Sequence, residues 1–216
     1  MAPIKIFTVN LANKSHTKAT LTPSESSTPV YELQLSWFTK EFFSSTQKPS
    51  IILRSTNSIS PTACHRESGS TGPITGSCIF PFISLADPIH ICFGDPETKF
   101  AIWETLLCRK IFTSNVFELN IDLGGSIGKR TFDWKRTHEV GGLGAFKREF
   151  DFFHLKMVDR ETGRIVARFN HHLWYGKKRG DLEIEEFNGG DRWELVVVLS
   201  GMAVLEYSRK IAGFSF

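Results

Sequence analysis

No apolar run in this 216-residue chain is long enough to cross a bilayer: the longest spans about eleven residues at 195–205, against the roughly 20 that a spanning helix needs. The N-terminal ten residues hold one lysine, no long apolar core and no small-residue cleavage site, so no secretory leader is expected. Cysteine is scarce, with Cys64, Cys78, Cys92 and Cys108 at wide spacings and no C-x-x-C pair. That pattern excludes a zinc ribbon or a thioredoxin-type redox motif and suggests reduced thiols in a cytosolic protein. No nucleophile elbow or Cys-His signature stands out, the metalloprotease spacing H-E-x-x-H is missing, and His138-Glu139 with Gly141-Gly142-Leu143-Gly144 reads as a glycine-rich loop. Adjacent His171 and His172 would point to opposite faces of a strand and make a poor chelate. The sequence therefore predicts no enzyme, no metal and no cofactor.

Charge of one sign is not in excess overall, since the net charge is only +3. Its distribution is uneven. Residues 1–125 carry ten basic against ten acidic side chains, residues 126–180 thirteen against six, and residues 181–216 three against seven. The densest positive charge is Lys177-Lys178-Arg179, just after Trp174-Tyr175, and Lys135-Arg136 and Lys147-Arg148 add basic pairs upstream. Lys177, Lys178, Arg179, Lys135 and Arg136 are thus the candidate lipid- or anion-binding residues, because clustered cations beside amphipathic rings suit an anionic headgroup layer. Charged turns are also routine on strand edges. Nucleic acid is disfavoured by the small net charge and the absence of a recognition motif.

What the chain has in abundance is short apolar segments and aromatic bulk, including 19 Phe and 5 Trp. Residues 4–9 read as a strand, followed by a Ser/Thr/Lys-rich connector to 28. Tyr31, Leu33, Leu35 and Trp37 then share one face of a second strand. Residues 43–77 are dominated by Ser, Thr, Pro and Gly around Ile51-Ile52-Leu53, and predict a long surface loop or partly disordered insertion. Apolar segments at 78–83, 90–93, 100–103, 106–112 and 116–121, separated by Gly/Pro/Asp turns, have the spacing of a strand meander. Further on, Phe132 and Trp134, then Leu155 and Met157, then Ile165, Ala167 and Phe169, then Leu182 and Ile184 alternate with polar residues, and Asp159 to Gly163 forms a hairpin turn.

The last element breaks the alternation. Asp191 is placed as an N-cap with Glu194 three residues on, Arg209 and Lys210 sit where a helix end prefers cations, and between Glu194 and Glu206 only Ser200 and Gly201 are not apolar. A helix apolar on all sides must be surrounded, and at this length strands have to surround it.

Arg130-Thr131-Phe132-Asp133-Trp134-Lys135-Arg136, Leu155-Lys156-Met157-Val158-Asp159 with Thr162-Gly163 and Val166-Ala167, and the run from Trp193 to Glu206 give the chain a resemblance to the tubby C-terminal-like superfamily. That superfamily includes tubby proteins, phospholipid scramblases and plant LURP-one-related proteins, and this chain looks most like the uncharacterised tubby-like proteins of fungi. The resemblance implies a mainly β fold, a closed antiparallel barrel of about twelve strands around a central hydrophobic C-terminal helix, formed as one domain over residues 1–216. Together with the basic bias of residues 126–180, the resemblance suggests a non-enzymatic module, cytoplasmic and peripheral at membranes, that engages anionic phospholipid (phosphoinositide) surfaces or a protein partner. Neither the tubby basic residues nor a scramblase-like acidic calcium segment is carried over. A lumenal carrier of a small apolar ligand and a nucleic-acid-binding protein are the alternatives.

Overall fold

The computed structural model describes residues 4–12, 17–36, 49–56, 72–81, 87–109, 116–125, 127–137, 154–172, 177–187 and 190–211, with side chains at 190, 191 and 211 excepted. The candidates His138, Glu139, Lys147, Arg148, Trp174, Tyr175, Trp37 and Cys64 lie outside these residues. Twelve strands follow one another: β1 (Ile4–Leu11), β2 (Lys18–Pro23), β3 (Tyr31–Leu35), β4 (Ile51–Ser55), β5 (Ile74–Ile79), β6 (Ile89–Phe93), β7 (Ile102–Cys108), β8 (Val116–Asp122), β9 (Lys129–Arg136), β10 (Leu155–Asp159), β11 (Ile165–His171) and β12 (Lys178–Glu185). A single helix, α1 (Gly190–Ile211), ends the order.

Every strand pairs with its sequence neighbours, and β1 pairs antiparallel with β12 to close the barrel. In a meander each strand reverses the last, so an even number of strands lets the first and last meet antiparallel. At about 4.8 Å per strand and a tilt of about 40°, twelve strands enclose a backbone diameter of roughly 24 Å. A helix roughly 10–12 Å across fits inside with a layer of wall side chains around it.

That is where α1 lies. Its side chains from 196 to 209 are all buried, and partners reach it from many sides of the wall. Trp134 Nε1 on β9 donates to Ser200 Oγ at 2.9 Å, Phe117 on β8 meets Tyr207 edge-on at 6.0 Å, and Arg179 on β12 pairs with Glu206. Close approach is provided by two glycines: a Cβ on Gly76 of β5 would come within 2.6 Å of Leu199 Cδ2, and one on Gly201 of the helix within 3.0 Å of the Trp134 ring. The helix start is tied to the wall by Glu194, whose carboxylate pairs with Lys5 and accepts from Tyr31 Oη at 2.8 Å; its carboxylate thus goes to β1 and β3 and supports the helix start by tertiary contact. The end that holds the start of α1 and the start of β9 is called the upper rim below, and the end that holds the end of α1 and the start of β12 the lower rim.

Three expectations are corrected. Residues 43–77 are not one loop, because β4 and the start of β5 fall within them. Ile51 and Leu53 alternate as fully buried residues while their neighbours are only partly covered, and one apolar face is all a barrel strand requires. The connector before residue 28 contains β2, with Ala19 and Leu21 buried on the same principle. The expected segments 100–103 and 106–112 are not separate within the described residues: β7 runs unbroken from Ile102 to Cys108, Phe100 is in the preceding turn and 89 % exposed, and residues 110–112 lie outside the described ones.

Candidate functional site: cations on the outer wall and at the lower rim

β9 to β12 are neighbours in the wall, and the lower ends of β9 and β12 lie on the same rim. The five predicted cations are therefore gathered at one end of one half of the barrel. They do not share a face.

On β9, Phe132 and Trp134 point inward, so Lys135 points out and Arg136 follows the inward set. Lys135 stands opposite Lys156 of β10, which stands opposite Arg168 of β11. Directly opposed residues bring their Cβ atoms to about 4.5–5.5 Å, so three cations form one row across the outer wall. Each lies beside buried, inward-facing neighbours, and the row is continued on β12 by Glu183. Acids attend it: Lys135 Nζ lies 3.1 Å from Asp133 Oδ2, and Arg168 Nη1 lies 3.5 Å from Glu185 Oε1. Lys156 and Arg168 were not singled out in the sequence, although their i-to-i alternation with Leu155, Met157, Ala167 and Phe169 was visible. Only the register could place them beside Lys135.

The basic turn divides between outside and inside. Lys177 is exposed at the rim, and its carbonyl accepts from the Leu11 N–H at 2.7 Å. Lys178 reaches outward, with Nζ 2.8 Å from Asp181 Oδ2. Asp181 also accepts from Thr8 Oγ1 at 2.9 Å and lies 2.9 Å from His172 Nε2. Burial alone would raise the Asp181 carboxyl, but the hydrogen bonds from Lys178, His172 and Thr8 outweigh it and hold the group below the usual carboxylate range.

Arg179 is not on the outer surface. Its side chain is 4 % exposed and its Nη1 lies 2.5 Å from Oε1 of the buried Glu206 in α1. Strict alternation back from Leu182 would place Gly180 inward and Arg179 outward. A register shift between Val9 and Asn10 of β1 pairs Val9 with Gly180 and Asn10 with Lys178, so Arg179 is the extra residue of a bulge. A bulge re-aims one side chain, and here it turns the arginine into the lumen. Gly180 must be glycine beside it, because an added Cβ would lie 2.3 Å from the Asn170 carbonyl oxygen.

The histidine pair divides as its alternation requires. His172 joins Asp181 outside, whereas His171 follows Phe169 inward and lies in the field of Arg179. Burial first, and then the charge of Arg179, push the His171 pKa down to about 3, so its imidazole is neutral.

Fold and site together define a closed antiparallel twelve-stranded barrel with a helix inside and cations on both sides of one rim. Comparison of the chain with protein-family models, with curated proteins and with solved structures finds no match in any of the three.

Proposed function

We propose that this protein is a non-enzymatic tubby-like binding module that docks on anionic phospholipid surfaces through the outer wall of β9–β12, as a cytoplasmic protein peripheral at the membrane. The observation that carries the reading is the row Lys135–Lys156–Arg168. Like charges directly opposite on neighbouring strands cost stability, and a headgroup phosphate lying across them offsets that cost. Lys177 and Lys178 extend the positive surface toward the lower rim, while Asp133, Asp181 and Glu185 moderate it. At about 1 kcal/mol per basic residue near an anionic leaflet, the three-cation row alone supplies roughly 3 kcal/mol. Membership of the tubby-like group is supported by the architecture, since the closed barrel around an apolar C-terminal helix is what the sequence resemblance implies. An outer site is favoured over a lumenal carrier because residues 196–209 of the helix occupy the axis.

Vesicle sedimentation at physiological salt tests the proposal. Wild type is expected to bind phosphatidylcholine vesicles doped with phosphoinositide at least tenfold more strongly than phosphatidylcholine alone, and Lys135→Glu/Lys156→Glu/Arg168→Glu to lose that preference. Equal binding to both vesicles, or an undiminished preference in the folded triple variant, would refute it.

A further inference from the structure

The outer wall carries a second feature that the row of cations does not use. Five large apolar side chains stand exposed among the described residues, and four of them, Phe100, Ile102, Trp103 and Leu107, lie on β7 or the turn before it. Their exposure runs from 37 to 89 %. Leu106 is buried, so Trp103, Thr105 and Leu107 share the outward face of the strand. That face carries no charge, and Cys92 and His90 stand opposite Trp103 and Thr105 on β6.

Register joins this apolar strip to the cations. Leu107 stands opposite Glu118 of β8, and Glu118 opposite Asp133 of β9, two residues from Lys135. The Arg109 N–H donates to the Val116 carbonyl at 2.9 Å, and Val116 stands opposite Lys135, so Arg109, just past β7, continues the row. The two acids in between do not face a leaflet bare. Both are more than nine-tenths buried, Arg160 Nη2 lies 2.5 Å from Glu118 Oε2 and 2.6 Å from Asp133 Oδ1, and Arg109 Nη2 lies 2.6 Å from Glu118 Oε1. β7 and β9 are each one strand from β8, so on a wall of this size a plane tangent at β8 passes within about 3 Å of the side-chain tips of both.

A protein partner is the poorer match to this strip. At roughly 150–250 Å² for a whole aromatic side chain, the four exposed groups offer on the order of 400 Å², about half of what a specific protein interface takes from each partner. A bilayer sets no such minimum, and the amphipathic indole favours its interface. Headgroup phosphates would then meet the row while the margin of the acyl chains meets β7.

We propose that the outward face of β7, Trp103 with Leu107, is an apolar anchor that enters the bilayer interface beside the cation row. The anchor rests on the docking reading above and extends that surface from β9–β12 to β7.

Phosphatidylcholine vesicles doped with phosphoinositide, prepared with and without brominated acyl chains, provide the test at physiological salt. Wild-type tryptophan emission is expected to be quenched by the brominated vesicles. Trp103→Phe, which keeps the apolar bulk, is expected to bind within twofold of wild type and to lose at least half of that quenching. Trp103→Ser/Leu107→Ser, at exposed positions, is expected to keep the wild-type melting temperature and to bind at least fivefold more weakly. Quenching unchanged in Trp103→Phe, or affinity unchanged in the double variant, would overturn the anchor and leave the row standing. Equal wild-type binding to vesicles with and without phosphoinositide would overturn both. A dimer that the double variant dissociates assigns the face to a second copy and likewise overturns the anchor.

Discussion

At the scale of single residues, the lumen mixes shape-critical glycines with a few polar groups whose protonation is set by burial. His171 shows the second kind. Its pKa of about 3 in the folded protein lies far below its ordinary 6.5, chiefly through burial. A base depressed on folding stabilises the protein fully above its unfolded pKa, and that contribution is lost as pH falls from 6.5 toward 3, at no more than about 1.4 kcal/mol per unit. Glu206 acts in the opposite sense, because a carboxyl raised on folding contributes stability below its unfolded value of 4.5 that is lost as pH rises through its folded one. The quantity to measure is therefore the difference between wild type and His171→Gln. Urea unfolding at pH 6.5, 5.5 and 4.5 is expected to show the wild type losing about 1 kcal/mol per unit relative to the variant. Parallel pH profiles for the two proteins would show that His171 is not held neutral. Asp181 and Glu118, whose carboxyls are held below their ordinary values of 3.8 and 4.5, begin to contribute only at the acid end of this window and cancel in the difference between the two proteins.

Among the elements, α1 is the one on which the rest depends. The run at 195–205 is read as helical from composition and end charges alone, and Arg209 and Lys210 do occupy the last turn of α1. Its apolarity on all faces is explained by a wall on all faces, not by lipid, and among the described residues no helix is long and apolar enough to cross a membrane. Val198 is fully buried at mid-helix. Val198→Asp places an unpaired carboxylate there and is expected to cost on the order of 4 kcal/mol or more, with loss of soluble folded protein. A soluble variant with the wild-type melting temperature would mean that the helix is not enclosed. β12 is the second decisive element, since its bulge opposite Val9 and Asn10 sends Arg179 inward and Lys178 outward.

For the whole molecule, closure makes wall and helix mutually dependent. Opening the β1–β12 seam would expose α1, and withdrawing α1 would leave Trp134 Nε1, Arg179 and the apolar inner wall without partners. One cooperative unit follows. In urea, the fluorescence transition reporting Trp134 and Trp193 is expected to coincide with the loss of far-ultraviolet dichroism, and two separated transitions would contradict a helix and wall that unfold together. The proposed lipid docking correspondingly uses the outer wall, where a row of charge does not disturb the packed axis.

The sequence by itself determined which segments alternate and which does not: Phe132 and Trp134, Leu155 and Met157, Leu182 and Ile184 are inward pairs, and the run at 195–205 is a surrounded helix. Those features follow from local periods, which a chain carries regardless of what it meets. The same local reading missed β2 and β4, where only two apolar residues mark the buried face, because a short strand in a closed wall draws its stability from ladders on both sides. Tertiary structure alone decided the cations. Lys135, Lys156 and Arg168 stand in one row through register across three strands, and Arg179 leaves the basic turn for the lumen through a one-residue shift against β1. Register is a property of paired strands, and no single segment encodes it.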